Sequence, residues 1–262
     1  MSGANPLRLD FLSELVRRRV IERYIGTSYR LFWVILSPLV PLLMNLAVFY
    51  FIARIPQVQA MGVAAYAAFI FSGLLPFRFA QKAATEGCDL LTGNMEMLKS
   101  AAFPLPYLGL SAIGALCVDL VIQCGLMGVL LWIAGQAPGW SICLLPAAFM
   151  MLVAFALGVS WLTSVAGYLL REVQEVVSLI FGALLYVTPT MYPPEAAPSF
   201  LQKLIWLNPL THFVIVFRDA LLPSASGPHW ASWAVALSLS GAMLVAGYAV
   251  IHKVQSFVGD MV

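Results

Sequence analysis

The chain has 262 residues, of which 61% are hydrophobic and only 10% are charged, with a formal net charge of +2. A soluble domain carries about a quarter charged residues, so this composition excludes an ordinary soluble protein and indicates a polytopic membrane protein. The small net charge gives no reason to expect a nucleic acid partner. The four cysteines and three histidines show no metal-ligand spacing, so we expect no metal site.

A polar and basic segment, residues 1–30, precedes the first apolar run. Leu9, Leu12 and Val16 share one helical face, and most of the neighbouring arginines lie off that face. The pattern predicts an amphipathic helix that lies in the headgroup region and contacts lipid phosphates. The alternative is a positively charged anchor without helical structure.

Six apolar runs are long enough to cross a bilayer, which predicts an all-α integral membrane protein. The predicted spans are Leu31–Ala53, Val63–Phe79, Leu105–Ala134, Cys143–Leu170, Val176–Tyr192 and Trp230–Ile251. If the loops alternate, eleven lysines and arginines lie on the side of the termini and three on the other side. This bias predicts that both termini are cytoplasmic.

The segment between the second and third spans, residues 80–104, is predicted to be cytoplasmic. Its charged residues are Glu86, Asp89, Glu96 and Lys99. The leucines and methionines between them favour a short amphipathic helix, and a solvated loop is the alternative.

Two further polar positions follow in chain order. Asp119 lies within the third span with Gln123 one turn later, so both should face the bundle interior. We favour a structural role for Asp119 over a proton relay, since the other spans offer few ionisable partners. Arg171 and Glu172 follow the fourth span, where Arg171 either binds a lipid phosphate or serves only as a topological charge.

The outward segment 193–229 is too apolar for a free loop, yet Pro209 divides it into pieces too short to span. We predict two re-entrant half-helices with Asn208 and Thr211 as caps, and Arg218 and Asp219 at the outer surface. Two interfacial helices resting on the membrane are the alternative.

Aromatic side chains are frequent in and near the predicted spans. They are explained either by the membrane-interface belt or by a passage in which aromatic faces stack on sugar rings. The candidates for lining such a passage are Tyr50, Tyr66, Trp161, Phe181, Tyr186 and Tyr192.

The sequence lacks the common motifs of nucleotide-binding and catalytic sites. The sequence has no phosphate-binding loop of the Gly-x4-Gly-Lys type, and so no nucleotide site by that route. Hydrolase and metalloprotease motifs are also missing, which makes an enzyme the minority interpretation.

Several short motifs, in order along the chain, resemble the permease subunits of bacterial ABC exporters of surface polysaccharide such as O-antigen, capsule and teichoic acid. They are "RYIGTSYRLFWVILSPL" (residues 23–39), "FSGLLPF" (71–77), "NMEMLKSAAFP" (94–104), "YVTPTMYP" (186–193) and "LNPLTHFVIVFRDALL" (207–222). No single motif is specific for this family, but five motifs in the same order along the chain are.

The resemblance implies a single permease domain over residues 1–262 in the inner membrane. It implies a homodimer around a conduit for a lipid-linked glycan, a separate ATPase that holds ATP and magnesium, and no cofactor in this chain. Residues 80–104 would couple to the ATPase, Arg171 and Glu172 would meet the substrate phosphate, and residues 193–229 would gate the exit. The alternatives are export of a drug or lipid, a lipid-modifying enzyme, and a proton-coupled carrier.

Overall fold

A computed structural model describes residues 6–24, 30–52, 54, 56–95, 104–136, 139–222 and 227–259. The regular structure within these ranges is helical, which confirms the all-α prediction. The longer helices are α1 (Pro6–Tyr24), α2 (Arg30–Leu46, continued as a π-helix over Ala47–Ile52), α3 (Pro56–Gln59), α4 (Val63–Cys88), α5 (Pro106–Ile133), α6 (Leu145–Leu169), α7 (Val173–Val187), α8 (Ser199–Leu207), α9 (Pro209–Leu221) and α10 (Trp230–Gly259). Single 3-10 turns occupy Thr92–Asn94, Trp140–Leu144 and Pro194–Ala196.

Four of the predicted spans coincide with helices long and apolar enough to cross a membrane. These helical segments are Val63–Cys88, Pro106–Ile133, Trp140–Leu169 and Trp230–Gln255. At the predicted first and fifth spans the apolar helices are shorter, Leu36–Ile52 and Val173–Val187. The chain is therefore a multi-pass membrane protein with four spans by length, or five if α8 and α9 form one broken span.

The predicted fifth span, Val176–Tyr192, is not helical over its whole length. Helix α7 stops at Val187, and Thr188 has extended backbone angles, φ −73° and ψ 130°. Pro189 accounts for this end, because a proline disfavours helical geometry at the residue before it. Residues 188–192 therefore continue as non-helical chain.

Helix α4 is the central element of the bundle. Of its most apolar window, 72% is buried, and it packs against α2, α5, α6, α7 and α9. The predicted second span ends at Phe79, but the helix continues to Cys88. The additional turns are buried, and their small residues, such as Ala83 and Ala84, allow close packing with neighbouring helices. Residues 80–88 of the predicted cytoplasmic segment thus belong to α4. The amphipathic helix predicted after them stays a prediction, because Glu96 and Lys99 lie outside the described residues.

Helices α6 and α10 share the most extensive contact in the bundle, and glycines make it close. A Cβ atom at Gly158 would overlap the Met243 carbonyl, and one at Gly247 would overlap the carbonyl of Gly158. Ser240 on α10 also donates to the Met151 carbonyl of α6 at 2.7 Å. Small residues that allow backbones to approach, with a hydrogen bond between helices, are the usual basis of helix pairing in membranes.

Proline and glycine mark several helix ends. Pro106, Pro146 and Pro209 occupy the first turns of α5, α6 and α9, where a missing N–H costs nothing. Gly135 follows α5 with φ +66°, and the next amide, of Gln136, donates back to the Leu131 carbonyl. A glycine in this conformation is a common helix terminator.

Candidate functional site

A charged stripe runs along the Cys88 end of α4. Arg78, Lys82 and Glu86 recur every four residues, which places them on one face of the helix. That face is turned toward α1 and α5, so the stripe lies between helices.

Asp119 of α5 lies at the centre of a charge cluster, which we define as Arg23, Lys82, Glu86 and Asp119. Its Oδ2 atom is 3.3 Å from Lys82 Nζ and 3.5 Å from Arg23 Nε. The Arg23 guanidinium also donates to both Glu86 oxygens, with Nη1 to Oε2 at 3.4 Å. The cluster therefore joins α1, α4 and α5, and Asp119, only 8% exposed at its side chain, has cations on two sides. This geometry fits the structural role favoured by the sequence.

A polar cleft of about 310 Å³ opens beside the charge cluster. Arg19, Glu22 and Arg23 of α1 line it together with Glu86 and Asn94. Burial lowers the pKa of Arg19, and the nearby Glu86 carboxylate opposes that shift. The cleft can admit water and charged groups of a partner to the junction of α1 and α4.

Asn208 forms the turn between α8 and α9, which meet at 85°. Its side-chain oxygen accepts from the Leu210 amide at 3.0 Å, so it caps α9. Its amide nitrogen donates to Thr188 Oγ1 at 2.8 Å, which holds the turn against the end of α7. Thr211 is buried but does not act as a cap.

Arg218 and Asp219 have side chains buried in the bundle, and their place at the outer surface of the membrane stays a prediction. The Arg218 guanidinium donates to the Thr190 carbonyl at 2.9 Å and lies 3.6 Å from the centre of the Phe69 ring. An arginine is costly to bury, and this carbonyl and ring provide part of the compensation.

Asp219 accepts three hydrogen bonds from the start of α10. The donors are the amide of His229 at 2.7 Å, its Nδ1 atom at 2.8 Å, and Trp233 Nε1 at 3.1 Å. Helix α9 is thereby fixed to α10 by Asp219 and to residues 188–192 by Arg218.

The six aromatic candidates divide by burial. Tyr66, Trp161 and Phe181 are buried inside this subunit, with Tyr66 donating to the Met191 carbonyl at 2.6 Å. They pack the core of this subunit. Tyr50 and Tyr192 are half-buried, and Tyr186 is exposed.

The remaining sequence candidates lie apart from these groups. Arg171 and Glu172 form an exposed turn between α6 and α7. Asp89 is exposed where α4 ends.

The pairing of Lys82 and Arg23 with Asp119, and the place of Arg78 on the same stripe of α4, are not among the sequence-based predictions. The predicted second span ends at Phe79, which places Lys82 and Glu86 in a loop instead of on α4. The four-residue spacing of the α4 stripe, matched by Asp119 and Gln123 on α5, was the available signal.

Comparison with known proteins supports the resemblance seen in the motifs. An O-antigen export system permease protein RfbA of Myxococcus xanthus is 26% identical over 223 residues, 82% of either chain. An RfbA of Klebsiella pneumoniae is 24% identical over 251 residues, 94% of this chain and 92% of the relative. The polysialic acid transport protein KpsM of Escherichia coli is 24% identical over 194 residues, 73% of either chain.

A family model described as ABC-2 type transporter matches residues 12–222. The match runs from α1 through the end of α9, so it includes the charge cluster and the α8–α9 turn. Because it covers most of the sequence, the chain belongs to the ABC-2 type transporter family.

Proposed function

We propose that this chain is the transmembrane permease subunit of an ATP-driven exporter that moves a lipid-linked polysaccharide out of the cytoplasm across the bacterial inner membrane. The main support is the alignment with relatives named for O-antigen export and polysialic acid transport, which covers 73% to 94% of this chain. The family is one of transporters rather than enzymes, and the sequence lacks a phosphate-binding loop. A separate ATPase therefore supplies ATP and magnesium.

The proposed topology has six crossings, with α2 and α7 as the short ones and both termini cytoplasmic. Helix α7 has 15 residues, which at about 1.5 Å per residue is too short for a core of about 30 Å. Residues 188–192 complete the crossing, because Arg218 and Tyr66 satisfy the carbonyls of Thr190 and Met191. Non-helical chain at membrane depth is tolerated only when it is buried in this way.

Helix α1 occupies the cytoplasmic headgroup region in this arrangement. It packs on α5 near the Cys88 end of α4. The excess of lysine and arginine on the side of the termini supports this orientation.

Two copies of the chain enclose the conduit. Helix α7 buries only Phe181 and exposes most of its other side chains, including Leu179 at 75% and Tyr186 at 69%. Such a face is available to a second subunit. Tyr50, Tyr186 and Tyr192 are the aromatic residues that we retain for contact with sugar rings.

The ATPase acts at the Cys88 end of α4. The polar cleft between α1 and α4 and the exposed Asp89 lie there, and movement of either helix must strain the charge cluster. Glu86 is thus a coupling residue through its pair with Arg23. Glu96 and Lys99 remain predicted parts of the same coupling segment.

The α8–α9 pair forms the outward gate, with Asn208, Pro209, Arg218 and Asp219 fixing its shape. Single cysteines from Phe200 to Leu222, in a variant without the four native cysteines, test this role. An impermeant thiol reagent added outside should label the exposed face of α8, while the buried face of α9 stays protected. Labelling from the cytoplasmic side, or uniform labelling along the window, contradicts the gate.

Arg171, with Glu172 beside it, contacts phosphates at the exposed turn between α6 and α7, either those of headgroups or that of the lipid-linked substrate before it enters the bundle. Substitution Arg171→Lys keeps the charge but removes the guanidinium fork. Reduced export by this variant with unchanged insertion supports phosphate binding. Full export leaves Arg171 as a topological charge only.

The overall proposal is tested by co-purification of this chain with its ATPase partner, followed by ATP hydrolysis in lipid discs. Hydrolysis should rise when the lipid-linked glycan is added. A complex that forms and hydrolyses ATP without any response to glycan contradicts the proposal.

A further inference from the structure

Arg78 differs from Lys82, the other cation of the α4 stripe, in its surroundings. Among the described residues its hydrogen bond is to Gln81 Oε1, one turn along its own helix, at 3.4 Å. The carboxylate nearby, Asp119, lies within ion-pair distance of Lys82 and Arg23 instead. A half-buried guanidinium with five donors is thus left without an ion-pair partner in the described part of the chain.

The Arg78 side chain lines a groove of about 140 Å³ between α2, α4 and α5. Lys82 and Gln123 lie in the same groove, and Ser37 of α2 faces them. The rest of the lining is apolar and includes Pro38. Two cations, an amide and a hydroxyl beside an apolar wall match a phosphate that is attached to a hydrocarbon chain.

Arg78 lies well inside the bundle, away from the Cys88 end of α4. At about 1.5 Å per residue, Arg78 lies about 15 Å along α4 from the helix end at Cys88. Phosphates of bulk lipids stay in the headgroup layer, whereas a phosphate that reaches Arg78 has been drawn between the helices. An ionisable residue in a transmembrane helix commonly marks such a path.

We infer that the groove between α2, α4 and α5 binds the phosphate that joins the exported glycan to its lipid carrier, with Arg78 as the main contact. Lys82 adds charge at the groove, and Gln123 donates from the opposite wall. This inference rests on the proposed function and names the part of the substrate that the subunit holds.

The test measures binding of a fluorescent polyprenyl diphosphate to the full-length protein in discs of neutral phosphatidylcholine. Variant Arg78→Gln should bind at least about tenfold more weakly, since it loses charged hydrogen bonds, and Arg78→Lys should be intermediate. The matched control is Arg17→Gln, which removes an exposed cation of α1. Unlabelled polyprenol should compete poorly, because it lacks the phosphate.

Wild-type binding by Arg78→Gln overturns the inference, and so does equal competition by phosphatidic acid, which would make the groove a site for bulk anionic lipid. If Arg78→Gln does not purify as a monodisperse protein, Gln123→Leu tests the opposite wall of the groove. We expect this variant to bind the probe more weakly than the wild type. The assay needs neither ATPase nor glycan. If glycan is exported but the variants bind the probe like the wild type, only this site is overturned. If the protein binds the probe but exports no glycan, only the proposed function is overturned.

Discussion

Reversing the charge of Glu86 probes the joint between α1 and α4. Glu86→Arg removes the partner of Arg23 and places a third cation beside Arg23 and Arg19. We expect the protein to insert but to lose stability, and to hydrolyse ATP without exporting glycan, because the joint no longer transmits movement.

The size of the effect follows from the geometry of the pair. Two unit charges 3.4 Å apart attract by about 5 kcal/mol at an effective dielectric constant of about 20. The Glu86 side chain is 39% exposed, so screening and side-chain ordering leave a net contribution of about 1–2 kcal/mol. Added repulsion in the reversed variant raises the loss to about 2–3 kcal/mol, or roughly 4–12 °C in melting temperature.

The charge swap Arg23→Glu with Glu86→Arg gives a sharper test. It restores attraction between the two positions, but it puts a carboxylate where Arg23 Nε now lies 3.5 Å from Asp119. The swap should therefore recover less than half of the lost stability, and adding Asp119→Asn should recover more.

Melting of the purified variants and export by cells are the measurements for this series. Glu14→Arg is the matched control, since Glu14 pairs with Arg17 at 3.2 Å on an exposed part of α1. Full rescue by the swap alone, or a reversed variant as stable as the control, would refute the role given to Asp119 and the pair.

Two further substitutions test packing. Gly158→Leu should disrupt the α6–α10 crossing against Met243 and cost about 3 kcal/mol, whereas Gly125→Leu on α5, with open space around it, should melt like the wild type. Equal melting of the two variants would contradict the close crossing. Asn208→Ala should cost about 2–3 kcal/mol, because it removes the cap of α9 and the bond to Thr188. A loss below about 0.5 kcal/mol would show that neither bond matters.

Much of the helical architecture could be predicted from apolar periodicity and helix-end signals. The break at Asn208 and Pro209 was visible because proline cannot continue a helix, and the polar residue before it is a good cap. The end of α7 carries a sequence signal in Pro189, whereas the burial of residues 188–192 carries none, because it depends on distant Arg218 and Tyr66.

The arrangement of charges could be predicted only in part. Asp119 was singled out because a carboxylate in an apolar run is costly, but nothing local names its partners, which come from α1 and α4. Arg218 is predicted near the outer end of α9, where its charge complements the helix dipole, but nothing local predicts that its side chain is buried. Its burial depends on a carbonyl 28 positions earlier in the chain and on the Phe69 ring.

The most direct test of the polysaccharide export account is vectorial transport by the purified complex of this chain and its ATPase in proteoliposomes. Lipid-linked glycan is supplied on the ATPase side, and its protection from an added glycosidase is followed over time. We predict protection that requires ATP hydrolysis and the attached lipid. A complex that hydrolyses ATP and moves a small drug or a phospholipid, while the glycan stays accessible, would contradict the account.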